Sequence, residues 1–591
     1  RVTWNGMTIN SPMLGMVDFS MIPSYFIDEA SLYHGASSLG VTGGGLGGAV
    51  SLGTRAPEEE GFGLSYTQGI GSYTTYDQFL RLTAGRGRWR TSLRAYYATS
   101  KNDFPYRNYN KWDFTYDDDH QIIGRQRPVE RNKNGDFHDF HLLPEFYYQG
   151  AGGGRLTLSA WYTHSRRGVP MLNVSYREDD LDKNRQQEQT VRLTAGWDKV
   201  LGALKLSAGG GYLYTDLLYH YQSGLGGGMY QDNVRSTSFV QTAYGVFSAE
   251  YYRSDRWIFS GNLSLNQHFV RSRDRAKLPT SEDRVIGYDQ ARSELSALVS
   301  ARYKPSRRLG LAVNLRQEMY ADNLSPLMPA LFAEYLLSDR GAVVLKASAA
   351  RNYRYPSLND LYFMPGGNAS LRPERGFTYD GGVEFQAKTQ PFTLSGEATL
   401  YDSYITDWIV WLPTHKGFWT PRNVKKVHSY GLEAKGAAQA DLGRQWNLNL
   451  SAHYAITHSI NRDDPAGWAD QSVGKQLPYI PVYSSGVTGT LGWRRWTFTY
   501  KWNYYSERFA TSSNLASSQV WRISPYYMND LALEYRPAAR WADLSIKVAV
   551  NNLFDEEYES VLSRPMPGRN FGLFIQITPR LSSTFFYPKR K

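Results

Sequence analysis

Trp446-Asn447-Leu448-Asn449-Leu450-Ser451-Ala452-His453-Tyr454 sets an apolar side chain at every second position and a polar one between each pair. Trp496-Thr497-Phe498-Thr499-Tyr500-Lys501-Trp502-Asn503-Tyr504 follows the same rule. Between Thr393 and Tyr401, Leu394, Gly396, Ala398 and Leu400 fall on one face and Thr393, Ser395, Glu397 and Thr399 on the other. Period two sends alternate side chains to opposite faces of an extended chain, so these segments read as strands with one apolar and one polar face. The signal dominates from about residue 58, in runs of about 9–12 residues, the length a tilted strand needs to cross a bilayer.

The turns decide between a membrane barrel and a soluble sandwich, which would have shorter strands and a turn every 8–12 residues or so. Short turns fall near Gly85-Arg86-Gly87, Gly152-Gly153-Gly154, Leu201-Gly202-Ala203, Ser254-Asp255 and Pro305-Ser306-Arg307. They continue at Ser338-Asp339-Arg340, Thr389-Gln390-Pro391, Leu442-Gly443-Arg444, Gly492-Trp493-Arg494 and Pro537-Ala538-Ala539. Between successive turns lie two strands and a longer polar, aromatic-rich connection. Short turns at one end and long loops at the other is the outer-membrane pattern. Ten short turns plus a strand at each end predict an all-β membrane protein: an antiparallel transmembrane barrel of about 22 strands, from 58 to 577, with eleven outer loops. A barrel so wide needs filling.

The first 57 residues differ. Gly35, Gly40, Gly43, Gly44, Gly45, Gly47, Gly48 and Gly53 interleave with Val41, Leu46, Val50 and Leu52. Glycine permits tight turns, and the apolar residues between argue for a compact small domain inside the barrel rather than a linker. Residues 578–591 read as a C-terminal tail with no assigned role.

Composition agrees. Aromatics are 15% of the 591 residues, with 44 Tyr and 16 Trp, as interfacial girdles require. No run of 18 apolar residues occurs, so no transmembrane helix is expected. The absence of cysteine excludes disulfides, thiolate metal sites and cysteine nucleophiles. The net charge of +11 is spread along the chain without a nucleic-acid-binding signature, which points to anionic lipid headgroups or an anionic ligand and to no nucleic-acid partner.

Four segments carry a family resemblance. Ser31-Leu-Tyr-His-Gly-Ala-Ser-Ser-Leu-Gly-Val-Thr-Gly-Gly-Gly-Leu-Gly-Gly-Ala-Val-Ser-Leu-Gly-Thr54 resembles the end of the plug of TonB-dependent outer-membrane receptors, and Trp4-Asn-Gly-Met-Thr-Ile-Asn10 an upstream plug strand and turn. Arg354-Tyr-Pro-Ser-Leu-Asn-Asp-Leu-Tyr362 with Gly367-Asn-Ala-Ser-Leu-Arg-Pro-Glu374 resembles a "FRAPSLNELY…GNPNLKPE" segment. Asn551-Asn-Leu-Phe-Asp555, Tyr558 and Pro567-Gly-Arg569 resemble the last two strands. The resemblance implies a Gram-negative outer-membrane transporter, energised by a TonB-type coupling protein pulling on the plug, with no covalent chemistry and no cofactor. Residues 1–57 match about the second half of a plug, so the coupling segment is expected ahead of Arg1. The family's Arg and Glu that tie plug to barrel correspond to Glu29 and Ser31, so that pairing is expected to be absent.

Capture is expected on outer loops mixing aromatics with cations: Tyr106, Tyr109 and Trp112; Arg351, Arg354, Tyr355 and Tyr362; and Trp408, Trp411, Lys416, Trp419 and Arg422. Such loops suit a planar anionic ligand, although Tyr and Trp at a rim are most often girdle residues. An iron chelate, ferric siderophore or haem, ranks first because both carry negative charge and the protein is basic. Cobalamin, close to neutral, is the alternative, and a surface lipoprotein is a further possible partner. A haem reading has His415 and His428 flanking one loop but no His between Tyr355 and Asn368. Asp117–Asp119 and Asp179, Asp180 and Asp182 could hold calcium, but acidic loop clusters are mostly solvated, and no metal site is assigned. A different class, a porin, adhesin or barrel enzyme, stays open: an enzyme would need a clustered catalytic constellation, and a porin would need no plug.

Overall fold

The computed structural model describes all residues except 42, 44, 59, 176–180, 278–282, 339–341, 414–418, 466–469, 515–520 and 581–591. Among the described residues, 22 antiparallel strands close into one barrel, from Gly61–Gly71 to Asn570–Pro579. Closure pairs Gly572 with Gly71 and Ile577 with Tyr66, so no strand edge is left open. No described helix is long and apolar enough to cross a membrane.

All ten short turns join consecutive barrel strands, although residues 339–341 of the sixth lie outside the described residues. The strands outrun expectation. Leu204–Gly226 and Met229–Tyr252 have 23 and 24 residues and pair as far as Gly226 with Met229. About 9–11 residues cross the bilayer, so the remainder stands above it as a zipped hairpin. The period-two pattern simply continues through a segment whose polarity had suggested a loop. At the C-terminal end, Trp496–Tyr505, Tyr526–Tyr535 and Ala542–Asn551 keep to ten residues each.

Inside the barrel, residues 1–57 form a four-stranded sheet of β1 (Val2–Trp4), β2 (Met7–Thr8), β3 (Glu29–His34) and β4 (Gly48–Gly53), in the order β2-β1-β4-β3. Asn5 and Gly6, both at positive φ, make the two-residue β1–β2 turn that such hairpins favour. The small core of Val2, Trp4, Met7, Phe26 and Leu52 is completed by Phe79, Trp161, Val240 and Val270 from barrel strands. Arg316 and Asp380 reach the 3-10 turn Gly35–Gly40 that follows β3, from further round the ring, at Leu39 and Ala36. Contact with so many walls requires a position within the lumen. A Cβ on Gly43 would lie 1.4 Å from Glu318 Oε1, so glycine there lets the backbone approach the wall. The wall opposite is uncovered: Asn447, Asn449, Ser451 and His453 are exposed although they alternate with the outward Trp446 and Leu450.

Candidate ligand site at the barrel mouth

The inner sheet is fixed first by charge. Arg94, on barrel strand Trp89–Ser100, is fully buried and donates to both carboxylate oxygens of Asp28, at 3.1 Å to Oδ1, and to the Tyr25 carbonyl at 3.2 Å. Its Nε lies 3.5 Å from the buried Glu145. Burial alone would raise the Asp28 carboxyl, but the hydrogen bonds from Arg94 and the Arg55 backbone hold it below the usual range. The expected absence of a tie between sheet and wall is therefore corrected in part. Glu29 turns aside to Arg55 at 2.9 Å, and the neighbouring Asp28 makes the link to the wall.

At the outer end, the loop after strand Val343–Arg354 folds inward over the sheet. Its helix α1 (Leu358–Tyr362) begins with Ser357 accepting from the Asp360 amide while the Asp360 carboxylate accepts from the Ser357 amide, a capping box. Leu358 and Asn359 donate backbone N–H groups to the carbonyls of Pro12 and Met13, at 3.0 Å each. Tyr288 donates to Asn359 at 2.5 Å and Arg292 to the Pro356 carbonyl at 2.9 Å. From the other side Arg167 holds Ser20, at 3.0 Å to its carbonyl. Residues 10–22 are thus pinned at the mouth, where Leu14, Met16 and Phe19 are 51%, 63% and 53% exposed. The sequence reading missed this apolar floor. Its only sequence signal was an apolar run, Met13-Leu14-Gly15-Met16-Val17, with no partner strand.

The predicted residues divide. Tyr355 stacks on Tyr320 at 4.9 Å and accepts from Asn323, and Tyr362 lies 6.2 Å from Tyr288. Trp411 donates its indole N–H to Asp360 at 2.9 Å, and its ring meets Phe363 edge-on. These three belong to the inward-folded loop and its support. Trp419 is exposed at the start of its strand and Trp408 half-buried beside a bulge. Trp112 lies under both Arg125 and Arg127, at 4.6 and 3.4 Å, in the outer loop 101–136. Tyr109 donates to Glu557, and Tyr106 is buried, donating to Glu130 at 2.9 Å. Arg351 pairs with Phe377, an outward-facing ring, and so stands on the lipid side. Arg422 is exposed, and Lys416 and His415 lie outside the described residues.

Four cations of the mouth are already engaged. Arg354 is bidentate to Glu374, which is 1% exposed and also accepts from the Ile409 amide. Arg372 pairs with Asp407 at 2.6 Å, Arg107 with Glu557 at 3.3 Å and Lys111 with Glu130 at 2.7 Å. Burial would raise Glu130, but Lys111, Asn108 and Tyr106 hold it below its ordinary value. Across the eleven outer connections the sequence places 16 Lys and Arg against 22 Asp and Glu. The ten short turns are the reverse: their described residues carry 11 Lys and Arg against one carboxylate, Asp255. The connections are thus acidic and the short turns basic, so part of the basic balance belongs to the opposite rim, and whole-chain charge by itself gives no ground for an anionic ligand. Asp117 accepts from the Asp119 and Gln121 amides, which accounts for that acidic cluster without an ion; Asp179 and Asp180 are outside the described residues.

Residues 60–553 match the family model described as TonB dependent receptor-like, beta-barrel. A vitamin B12 transporter from Photobacterium profundum is 22% identical over 94% of this chain and 80% of its own length. Among solved structures, a copper transporter superposes with a TM-score of 0.75 at 16% identity, covering 98% of this chain and 90% of the other. The ferric yersiniabactin uptake receptor of Yersinia pestis superposes at 0.71 and 13%, covering 98% and 88%. At these identities the structures establish the fold alone.

Proposed function

The chain belongs to the TonB-dependent receptor family, whose members are outer-membrane transporters and not enzymes, and from that premise we propose that it imports a bulky, near-neutral corrinoid of the cobalamin type. This reverses the ranking that whole-chain charge suggested. The observation that carries it is the mouth itself: an exposed apolar floor of Leu14, Met16 and Phe19 under connections whose net charge is acidic, with Arg354 and Arg372 each paired to a carboxylate. A ligand with little net charge covers that floor without having to extract Arg354 or Arg372 from their carboxylates. The name of the vitamin B12 relative points the same way.

In this reading Tyr355, Tyr362, Trp411 and Trp419 line the seat above the floor, and Tyr109, Trp112, Trp408 and Arg422 meet the ligand first from the outer loops. Residues 1–57 act as the second half of the plug and residues 58–577 as the barrel. A TonB-type protein moves the plug and breaks its contacts with the wall. An anionic iron chelate, ferric siderophore or haem, is the second reading, favoured only by the Arg125–Trp112–Arg127 stack. Uptake of labelled cobalamin and of a labelled ferric catecholate, by cells expressing the full-length gene with and without a protonophore, tests the proposal. Energy-dependent uptake of cobalamin is expected. Uptake of the ferric chelate alone would reject it.

A further inference from the structure

The short-turn rim holds a feature that nutrient import does not use. Trp446, Trp493, Trp496 and Tyr535 sit at directly paired positions on four consecutive strands, Trp446 opposite Trp493, Trp493 opposite Trp496 and Trp496 opposite Tyr535. Trp446 and Trp493 stack at 5.5 Å, and Trp496 and Tyr535 lie 4.4 Å apart. The three indoles are exposed on the outward face and form a shelf where the bilayer ends. Just beyond the shelf, the turns carry Arg444, Arg494 and Arg495. Arg494 lies over the Trp493 ring at 5.1 Å, and none of the three has a carboxylate partner among the described residues. The shelf, Arg494 and Arg495 border an open groove of about 870 Å³. Its one carboxylate, Asp441, accepts from the Gly443 amide at 3.0 Å.

The turns are built against their own preference. Arg444, Gln445 and Arg494 all adopt positive φ, at +49°, +68° and +54°. Two-residue hairpins of that kind favour Asn and Gly there, because a Cβ is strained in the left-handed region. Cationic side chains are kept where glycine would fold more easily.

From this arrangement we infer that the groove binds the phosphate headgroup of an anionic phospholipid from the periplasmic leaflet. The indoles take the glycerol and upper acyl region, where amphipathic rings partition. Arg494 and Arg495 take the phosphate, which guanidinium groups meet with paired N–H donors. The excess of cations around the whole rim supplies charge complementarity to an anionic leaflet.

The test is native mass spectrometry of the purified receptor after incubation with vesicles of phosphatidylglycerol or of phosphatidylcholine. Retention of phosphatidylglycerol should exceed that of phosphatidylcholine about thirtyfold, as expected for two cations at a lipid surface. R494Q/R495Q, which keeps the turn lengths, should bring the two to parity. K304Q/R307Q, on another turn of the same rim, should leave the preference intact. Equal retention by the wild-type protein would overturn the inference, as would a preference that survives R494Q/R495Q. Equal loss in both double variants would assign the effect to rim charge at large and overturn the groove. Displacement of the lipid by millimolar inorganic phosphate would mark a free-anion site instead.

Discussion

The two rims of this barrel use arginine in opposite ways. At the mouth, Arg354 is bidentate to buried Glu374 and Arg372 is held by Asp407, so each cation serves the architecture of a loop. At the short-turn rim, Arg88, Arg307 and Arg495 stand in turns with no side-chain carboxylate partner among the described residues and face water or headgroups. Charge that is spent on folding is unavailable to a ligand, and charge left free acts on whatever lies within about 8 Å in physiological salt. A chain-wide net charge adds the two kinds together and hides the difference.

The contrast is tested most severely at Arg354. Arg354→Ala leaves Glu374 buried without its partner, and breaking a buried pair costs about 3–5 kcal/mol. Since the loop from 355 to 373 hangs on that pair, limited proteolysis should cut it far faster in the variant, and R354A/E374Q should recover part of the protection. Unchanged cleavage would place Arg354 among the free cations. The apolar floor comes next. Met16→Ser with Phe19→Ser removes apolar surface worth about 1.5–3 kcal/mol per side chain if the ligand covers it, so affinity for cobalamin should fall at least tenfold by calorimetry. A fall under twofold would detach the floor from binding.

Acid gives a smaller, signed effect. The Asp28 carboxyl is held below its ordinary value and its side chain is 21% exposed. A depressed carboxylate stabilises the contact above its unfolded value of about 3.9 and loses that contribution as pH falls through the folded value. Liposome swelling with a small sugar should therefore rise only below about pH 4, and Asp28→Asn should already leak at pH 7 and show no further acid step. The smallest effect belongs to the rim: Arg88→Gln with Arg307→Gln should shift thermal stability by less than about 0.5 kcal/mol. A larger loss would mean that these arginines, too, are structural.

The barrel was legible in the sequence because lipid enforces period two on every spanning strand and because short turns punctuate it. The ten turns were found from glycine, proline and charge alone. The reach of the long strands was not, since hairpins above the bilayer keep the same alternation while their polarity resembles that of loops. Where the named residues stand was half legible. Tyr355, Tyr362 and Trp411 were found as aromatics near a loop motif, and they do gather at the inward fold of α1. Arg351 was misread because one residue of register decides which side of the sheet a side chain faces, and the sequence does not fix where strand ends and loop begins. Leu14, Met16 and Phe19 were missed because an exposed apolar loop is visible only once the surrounding wall is built. The Asp28–Arg94 link joins residues far apart in sequence, and no local pattern announces it.

On the proposed function, the mouth selects a ligand of little charge. Equilibrium binding of cobalamin, a ferric catecholate and haem to the purified receptor, each at 50 and 500 mM salt, tests it directly. Tight binding of cobalamin that is insensitive to salt is expected, with weaker binding of both anionic ligands. Tight binding of the catecholate or of haem that weakens steeply with salt, with none of cobalamin, would contradict it.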